Sequence, residues 1–247
     1  MKWYFVVLTV LGGLVGLFLL YVLLVIVSSL FVDKNRIYAK RNAYYWWIMQ
    51  SALFFVMRVA RVRVHLTGTE RIPKEGRFYL VSNHRSVFDP MIAIRYLRRF
   101  RLVFISKEEN LKIPVAGPIM RRCNCLPIDR NSLKQSLYIF QKGKQLIESD
   151  VVSLGVYPEG TRSRTGELLP FHEGSLYPAF RAPCPVVVSV IRGTEQIGHR
   201  MPFKRTDVYL DILDVLPASY LEGKPMGQVS DEIRSEMEDF LKSKKEQ

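Results

Sequence analysis

From Trp3 to Val32 no charged residue interrupts the chain. Backbone groups in hydrocarbon must be satisfied within their own segment, so an apolar run of this length predicts a lipid-embedded helix. At 1.5 Å per residue it would extend about 45 Å, against a hydrocarbon core about 30 Å thick. The run is too long for a signal peptide, and no small-x-small cleavage site follows it. Tilting, a kink near Gly12-Gly13 and Gly16, or partial residence in the interface would absorb the excess. A polar turn, Asp33-Lys34-Asn35-Arg36, comes next. Asn42 to Met57 is then again uncharged and rich in aromatics (Tyr44, Tyr45, Trp46, Trp47, Phe54, Phe55). Too short for a simple span, it suits either headgroup depth, where Trp and Tyr gather, or the core of the following domain. Residues 1–60 are therefore expected to form a membrane-embedded helical hairpin that enters one leaflet and returns. The rival geometry has the first helix crossing completely. Lys34, Arg36, Lys40 and Arg41 put positive charge after the first apolar run, with Lys2 alone before it. That asymmetry predicts an inner-membrane protein whose bulk faces the cytoplasm.

Beyond Arg61 the period changes. Val62, Val64 and Leu66 alternate as in a strand. Phe78–Val81, Leu102–Ile105, Val151–Tyr157, Pro185–Ile191 and Val208–Leu213 are further short, β-prone runs. Helical spacing is better in Met91–Arg98, Ser132–Glu148 and Ser230–Lys242. Strands alternating with helices predict an α/β domain over residues 61–247, its mostly parallel central sheet flanked by helices.

Charge narrows the partners. Thirty-six Lys and Arg against 23 Asp and Glu give a formal net charge of +13. Such a balance points to nucleic acid, a phospholipid surface or a phosphorylated substrate. Nucleic-acid binding would call for exposed aromatics interleaved with the basic residues. Here the aromatics concentrate in the lipid-seeking segment, so no nucleic-acid partner is expected. Cys123, Cys125 and Cys184 make neither a disulfide framework nor a metal set.

The richest stretch for chemistry is Ser82–Pro90. His84 should sit just past the end of the Phe78–Val81 strand, and Asp89-Pro90 reads as helix N-cap plus first-turn proline. Histidine titrates nearest neutrality and suits removal of a proton from a hydroxyl. A carboxylate five residues on could accept from the other ring nitrogen, fixing the tautomer and stabilising the imidazolium. A second stretch, Tyr157-Pro158-Glu159-Gly160-Thr161-Arg162-Ser163, follows another strand. Gly160 permits φ > 0 in a tight turn. Arg162 offers a planar fork for phosphate, and Glu159 could brace it or accept from a substrate hydroxyl. Lys107 and Arg130 stand at the ends of two further runs. Cations at strand C-termini beside a loop histidine fit the place where open α/β sheets bind ligands.

Asn83-His84-Arg85-Ser86-Val87-Phe88-Asp89 resembles the His-x4-Asp block of the glycerolipid acyltransferases. Tyr157–Ser163 resembles their Phe-Pro-Glu-Gly-Thr-Arg-Ser block. Ile128-Asp129-Arg130 lies where the family carries an arginine-bearing block, and Pro185–Val188 resembles its apolar fourth. The resemblance covers about Arg61 to Ile191, with departures at Tyr157 (usually Phe), His172 (often Lys) and Ser189 (often Pro). It implies that His84, oriented by Asp89, deprotonates the free hydroxyl of lysophosphatidic acid. That oxygen would attack the thioester of an acyl-CoA or acyl-carrier protein, giving phosphatidic acid. Lys107, Arg130, Glu159, Gly160, Thr161 and Arg162 would hold the substrate, membrane phospholipids would be the setting, and no metal or other cofactor is implied. The alternatives are an acyltransferase of another lysolipid and a catalytically silent membrane-binding module.

Overall fold

The computed structural model describes residues 2–129 and 132–244; Arg130, one of the expected cations, lies outside the described residues. In chain order, α1 spans Trp3–Leu30 and α2 Ala43–Val59, followed by β1 (Val62–Thr67), β2 (Tyr79–Ser82), α3 (Phe88–Tyr96) and β3 (Leu102–Lys107). Next come α4 (Ala116–Arg122), β4 (Leu126–Ile128), α5 (Leu133–Glu148), β5 (Ser153–Val156) and α6 (Tyr177–Arg181). The chain ends with β6 (Val186–Arg192), α7 (Ile197–Arg200), β7 (Thr206–Leu216), α8 (Ala218–Leu221) and α9 (Met226–Ser243).

The strands form one seven-stranded sheet in the order β1-β7-β6-β2-β5-β3-β4. Neighbours run parallel except β6 and β7, which pair antiparallel with a register shift between Val188 and Ser189. Successive side chains on a strand point to opposite faces, and the core divides accordingly. Tyr79, Val81, Leu154 and Val188 pack with residues of α5, α6 and α9. Phe78, Leu80, Phe104 and Val187 pack with residues of α2, α3 and α4. Burial on both faces is why these strands read as continuous apolar runs rather than strict alternations.

The two N-terminal helices run antiparallel. Ser28 Oγ lies 2.6 Å from the Tyr44 hydroxyl, and Tyr21 Oη lies 2.8 Å from Ser51 Oγ. One turn further on, the Phe18 and Phe55 rings meet edge-on at 5.8 Å. Beyond Phe18 the N-terminal half of α1 has no partner helix among the described residues, and its apolar side chains are exposed. α2 has two contact faces. Asn42 caps it by accepting from Tyr45 N, and Tyr44, Trp47, Phe54 and Phe55 remain exposed. Ile48, Met49 and Met57 are instead buried in the core under the sheet, each worth about 1.5–3 kcal/mol relative to exposure. The last turn of α2 passes through Ala60-Arg61 into β1. Because β1 and β7 run opposite to β6, β1 begins at the edge of the sheet where β2, β5 and β6 end.

Candidate active site

β2 and β5 lie side by side, yet their onward connections diverge. From β2 the chain passes beyond β5 to β3; from β5 it passes back across β2 to β6. The crevice outside their carboxyl ends is therefore a topological switch point, where open α/β sheets place ligands. The loop after β2 carries His84 and the loop after β5 carries Glu159–Ser163, so two segments far apart in sequence meet. Ser163 N donates to His84 O at 2.8 Å and joins the loops directly. Asn83 fixes the other side: its side chain donates to Ile191 O and accepts from Ile191 N, tying the loop to β6.

Within this frame His84 Nδ1 lies 2.8 Å from Asp89 Oδ2. Asp89 is fully buried and the His84 side chain is 18 % exposed. The same oxygen accepts from Arg85 N at 2.6 Å and Ser86 N at 2.7 Å. A carboxylate oxygen receiving two backbone N–H groups is an acceptor, so Nδ1 of the neutral ring carries the proton and Nε2 is left with a free lone pair. Asp89 is not the N-cap expected from sequence. Helix α3 starts at Phe88 with Val87 in the cap position, and no side chain caps it. The carboxylate turns back onto the preceding loop because both N–H groups and the imidazole converge there.

The imidazole plane is set by an aromatic stack that crosses three adjacent strands. Tyr157, just past β5, lies 4.2 Å from the His84 ring at 14° and 4.8 Å from the Phe104 ring of β3 at 4°. Phe104 lies flat because its register partner is Gly155, where an added Cβ would meet the ring at 2.5 Å. Burial, and after it the nearby Asp89, raise the Tyr157 phenol well above its ordinary pKa, so the ring beside the imidazole stays neutral. The sequence motifs contain Tyr157 and Asn83 but assign them no role; adjacency to Pro158 and His84 is the signal available there.

Glu159, expected to brace Arg162 or receive a substrate hydroxyl, has both oxygens engaged by backbone. Oε1 accepts from His84 N at 2.6 Å and Oε2 from Leu169 N at 2.9 Å, and the residue is 3 % exposed. Burial raises its carboxyl above the ordinary range, partly offset by these two donors. Gly160 takes φ +69°, as the tight turn requires. Thr161 and Arg162 are exposed beyond that turn, and Arg162 makes no hydrogen bond or ion pair among the described residues. Lys107 closes β3, exposed and 3.4 Å from Glu109. His172 is exposed, its backbone N–H donating to Pro158 O at 2.9 Å. The three cysteines are free and buried, and burial pushes the Cys125 thiol up to about 11 and that of Cys184 up to about 12, which leaves them poor nucleophiles.

A histidine held by a buried carboxylate at the carboxyl edge of a mostly parallel sheet, with cations on neighbouring strand ends, defines an α/β protein with a candidate acid–base site. The sequence model of the family described as Acyltransferase matches residues 63–192, more than half of the 247 residues. The chain belongs to the acyltransferase family. It is 27% identical over 149 residues to a 1-acyl-sn-glycerol-3-phosphate acyltransferase of Limnanthes douglasii, covering 60% of this chain and 52% of that protein. It is 27% identical over 202 residues to a protein of the same name from Saccharomyces cerevisiae, covering 79% of this chain and 66% of that protein. The chain thus spans about half the length of the first relative and about two thirds of the second. Among solved structures, the 1-acyl-sn-glycerophosphate (LPA) acyltransferase PlsC from Thermotoga maritima superposes with a TM-score of 0.68 at 24% identity. That match covers 92% of this chain and 90% of the other. At that identity it establishes the shared fold.

Proposed function

We propose that this protein acylates the free hydroxyl of 1-acylglycerol 3-phosphate with an acyl thioester, giving phosphatidic acid and a free thiol. The observation that carries the reading is the His84–Asp89 pair at 2.8 Å, inside the region that matches the family. His84 Nε2 takes the proton of the acceptor hydroxyl while Nδ1 remains bonded to Asp89. The acceptor oxygen attacks the thioester carbonyl, and collapse of the tetrahedral intermediate breaks the C–S bond. The imidazolium then returns its proton to the departing thiolate, so the enzyme ends as it began. The nucleophile belongs to the substrate, and positioning supplies much of the rate. Arg162 and Lys107 of the described residues, with Arg130, receive the acceptor's phosphate; Gly160 and Thr161 line the same turn. Donors of both kinds, acyl-CoA and acyl-carrier protein, present the same thioester.

The acceptor is a membrane lipid, and α1 is long and apolar enough to cross a membrane by length and composition. With α2 it forms an antiparallel pair whose free α1 end points toward the sheet edge that carries His84. That direction sets the anchor and the catalytic edge against the same membrane surface, and the basic Lys34, Arg36, Lys40 and Arg41 after α1 favour the inner membrane's cytoplasmic face, with the hairpin held in one leaflet. The test is thiol release by the purified full chain with a panel of lysolipids and both donor classes. Release that depends on 1-acylglycerol 3-phosphate and disappears in His84→Ala is expected. An equal preference for a lysolipid without a phosphomonoester, or full activity in His84→Ala, would overturn it.

A further inference from the structure

The β6–β7 connection has a surface that the acid–base chemistry does not use. All residues from Gly198 to Arg205 are exposed. Phe203 is 84 % exposed, more than any other large apolar side chain among the described residues. Arg200 and Lys204 flank it in sequence, Arg205 follows and pairs with Asp207 at 3.5 Å, and the segment itself contains no acidic residue. This is not a frayed loop. Ile197 is fully buried at its base, Met201 N donates to Ile197 O at 2.9 Å, and Lys204 N donates to Arg200 O at 2.8 Å. A closed turn that holds a phenyl ring out between cations has the composition of a headgroup-penetrating contact: apolar tip, basic shoulders.

Its place in the fold indicates the occupant. β6 and β7 are antiparallel, so their connection lies at the carboxyl edge of β6, beside the loop carrying His84. Further exposed apolar side chains follow neighbouring strands on that edge: Val87 after β2, Ile113 after β3 and Leu133 after β4. The unpartnered end of α1 points the same way and extends about 20 Å beyond its last contact with α2. We infer that the Met201–Arg205 turn is a second membrane contact, inserting Phe203 among the headgroups of anionic lipid and pressing the active-site edge onto the bilayer. The inference rests on the reading of α1 and α2 as a lipid-embedded pair.

The experiment uses the full chain in vesicles of phosphatidylglycerol and phosphatidylethanolamine. The native cysteines are buried, so Phe203→Cys offers an accessible thiol for an environment-sensitive fluorophore, and Leu17→Cys reports on α1 in parallel. The expected result is blue-shifted emission at position 203, quenched by lipid-borne nitroxides at shallow depth and protected from aqueous iodide. Water-like emission at 203 with a lipid-embedded 17 would overturn the second contact alone, whereas water-like emission at both would overturn the hairpin reading. A blue shift that appears only on adding an acidic carrier protein would instead mark a protein-docking site and also overturn it. Phe203→Asp should lower turnover of a vesicle-embedded acceptor about tenfold or more while sparing a short-chain, water-soluble acceptor. Equal loss on both would overturn the inference. The fluorescence needs no catalysis, so it stands or falls apart from the acyltransferase assignment.

Discussion

Replacing Asp89 by Asn tests whether this carboxylate acts by its charge or by its shape. All three donors (His84 Nδ1, Arg85 N and Ser86 N) converge on Oδ2, while Oδ1 is buried with no partner among the described residues. An asparagine will therefore keep its carbonyl oxygen at the Oδ2 position, because the flipped amide would set an NH2 group against three donors. The loop and the imidazole tautomer survive, and only the charge is lost. Two unit charges about 4 Å apart at an effective dielectric near 20 interact by about 4 kcal/mol, close to a thousandfold in rate. The His84 side chain is 18 % exposed and the amide keeps a dipole, so a fall in kcat of about 10²–10³ is expected. The amide N–H at the Oδ1 position is buried without an acceptor, which lowers stability by about 1–3 kcal/mol. Asp89→Ala should do worse on both counts, since it also strips the acceptor from Arg85 N and Ser86 N. Thiol-release kinetics and urea denaturation of the two variants decide the matter. An Asn variant within threefold of wild-type kcat would show that the charge is irrelevant. Asn and Ala variants equally inactive and equally unfolded would show that the loop argument is wrong.

Arg162→Ala is expected to weaken use of the phosphorylated acceptor by about 1.5–3 kcal/mol in kcat/KM, the scale of a hydrogen bond to a charged group, with Tm unchanged because the side chain holds nothing in the fold. Arg162→Lys should restore only part of it, since an ammonium lacks the planar fork; normal kinetics in the alanine variant would exclude the role. Glu159 has a folded-state pKa raised by burial, so folding takes up a proton there and its contribution to stability falls as pH rises from the unfolded carboxyl value through the raised one. Glu159→Gln should therefore lower Tm by losing one of two backbone acceptors, yet flatten that part of the Tm-versus-pH curve, and an unchanged slope would count against it. Gly155→Ala should displace the Phe104 ring, loosen the Tyr157–His84 stack and reduce kcat more than it reduces Tm would suggest, measured by kinetics and thermal melts side by side. A cysteine at position 2, treated in intact cells with an impermeant maleimide, should stay protected until lysis if the free end of α1 stops within one leaflet; labelling from outside would mean a complete crossing.

Much of this architecture is legible in the sequence because burial leaves a simple signature. β2, β3, β5 and β6 are covered on both faces and appear as unbroken apolar runs, and the 16-residue helix α5 announces itself through spacing and through Ser132, which caps it. The short helix α4 was not legible: seven residues show little period, and it begins after Val115 at φ +64°, which no propensity rule anticipates. The pattern of Asn42–Met57 fits either interface or core, and α2 is buried on one side and exposed on the other, since a helix with apolar residues all round does not reveal which face meets which solvent. At the site, pattern pairs His84 with Asp89 but puts Asp89 at the helix cap, whereas it stands two positions past the cap, as the second residue of α3. The misplacement follows from the competition between helix N–H groups and the N–H groups of Arg85 and Ser86, which depends on a loop conformation that sequence alone does not express. The position of Glu159 under His84 N is likewise a product of strand order: only the adjacency of β2 and β5 brings the two loops together.

That strand order also links the chemistry to the N-terminal helices. A membrane anchor joined through a long linker would leave the catalytic edge free to face any direction. Here α2 buries Ile48, Met49 and Met57 beneath the same sheet face that carries Phe104, and Ala60-Arg61 is all that separates it from β1. Turning the hairpin would mean pulling three buried apolar side chains from the core, at about 1.5–3 kcal/mol each, so the hairpin and the sheet move as one body. α1 is held to α2 by Tyr21, Ser28 and the Phe18–Phe55 contact, and its direction is thereby fixed relative to β1. Since β1 begins at the edge where β2 and β5 end, placing α1 in lipid also sets the direction in which Nε2 of His84 is presented. In the function proposed above, the fold itself aims the base at the bilayer, and binding energy from the acyl chain of the acceptor need not be spent on orienting the enzyme.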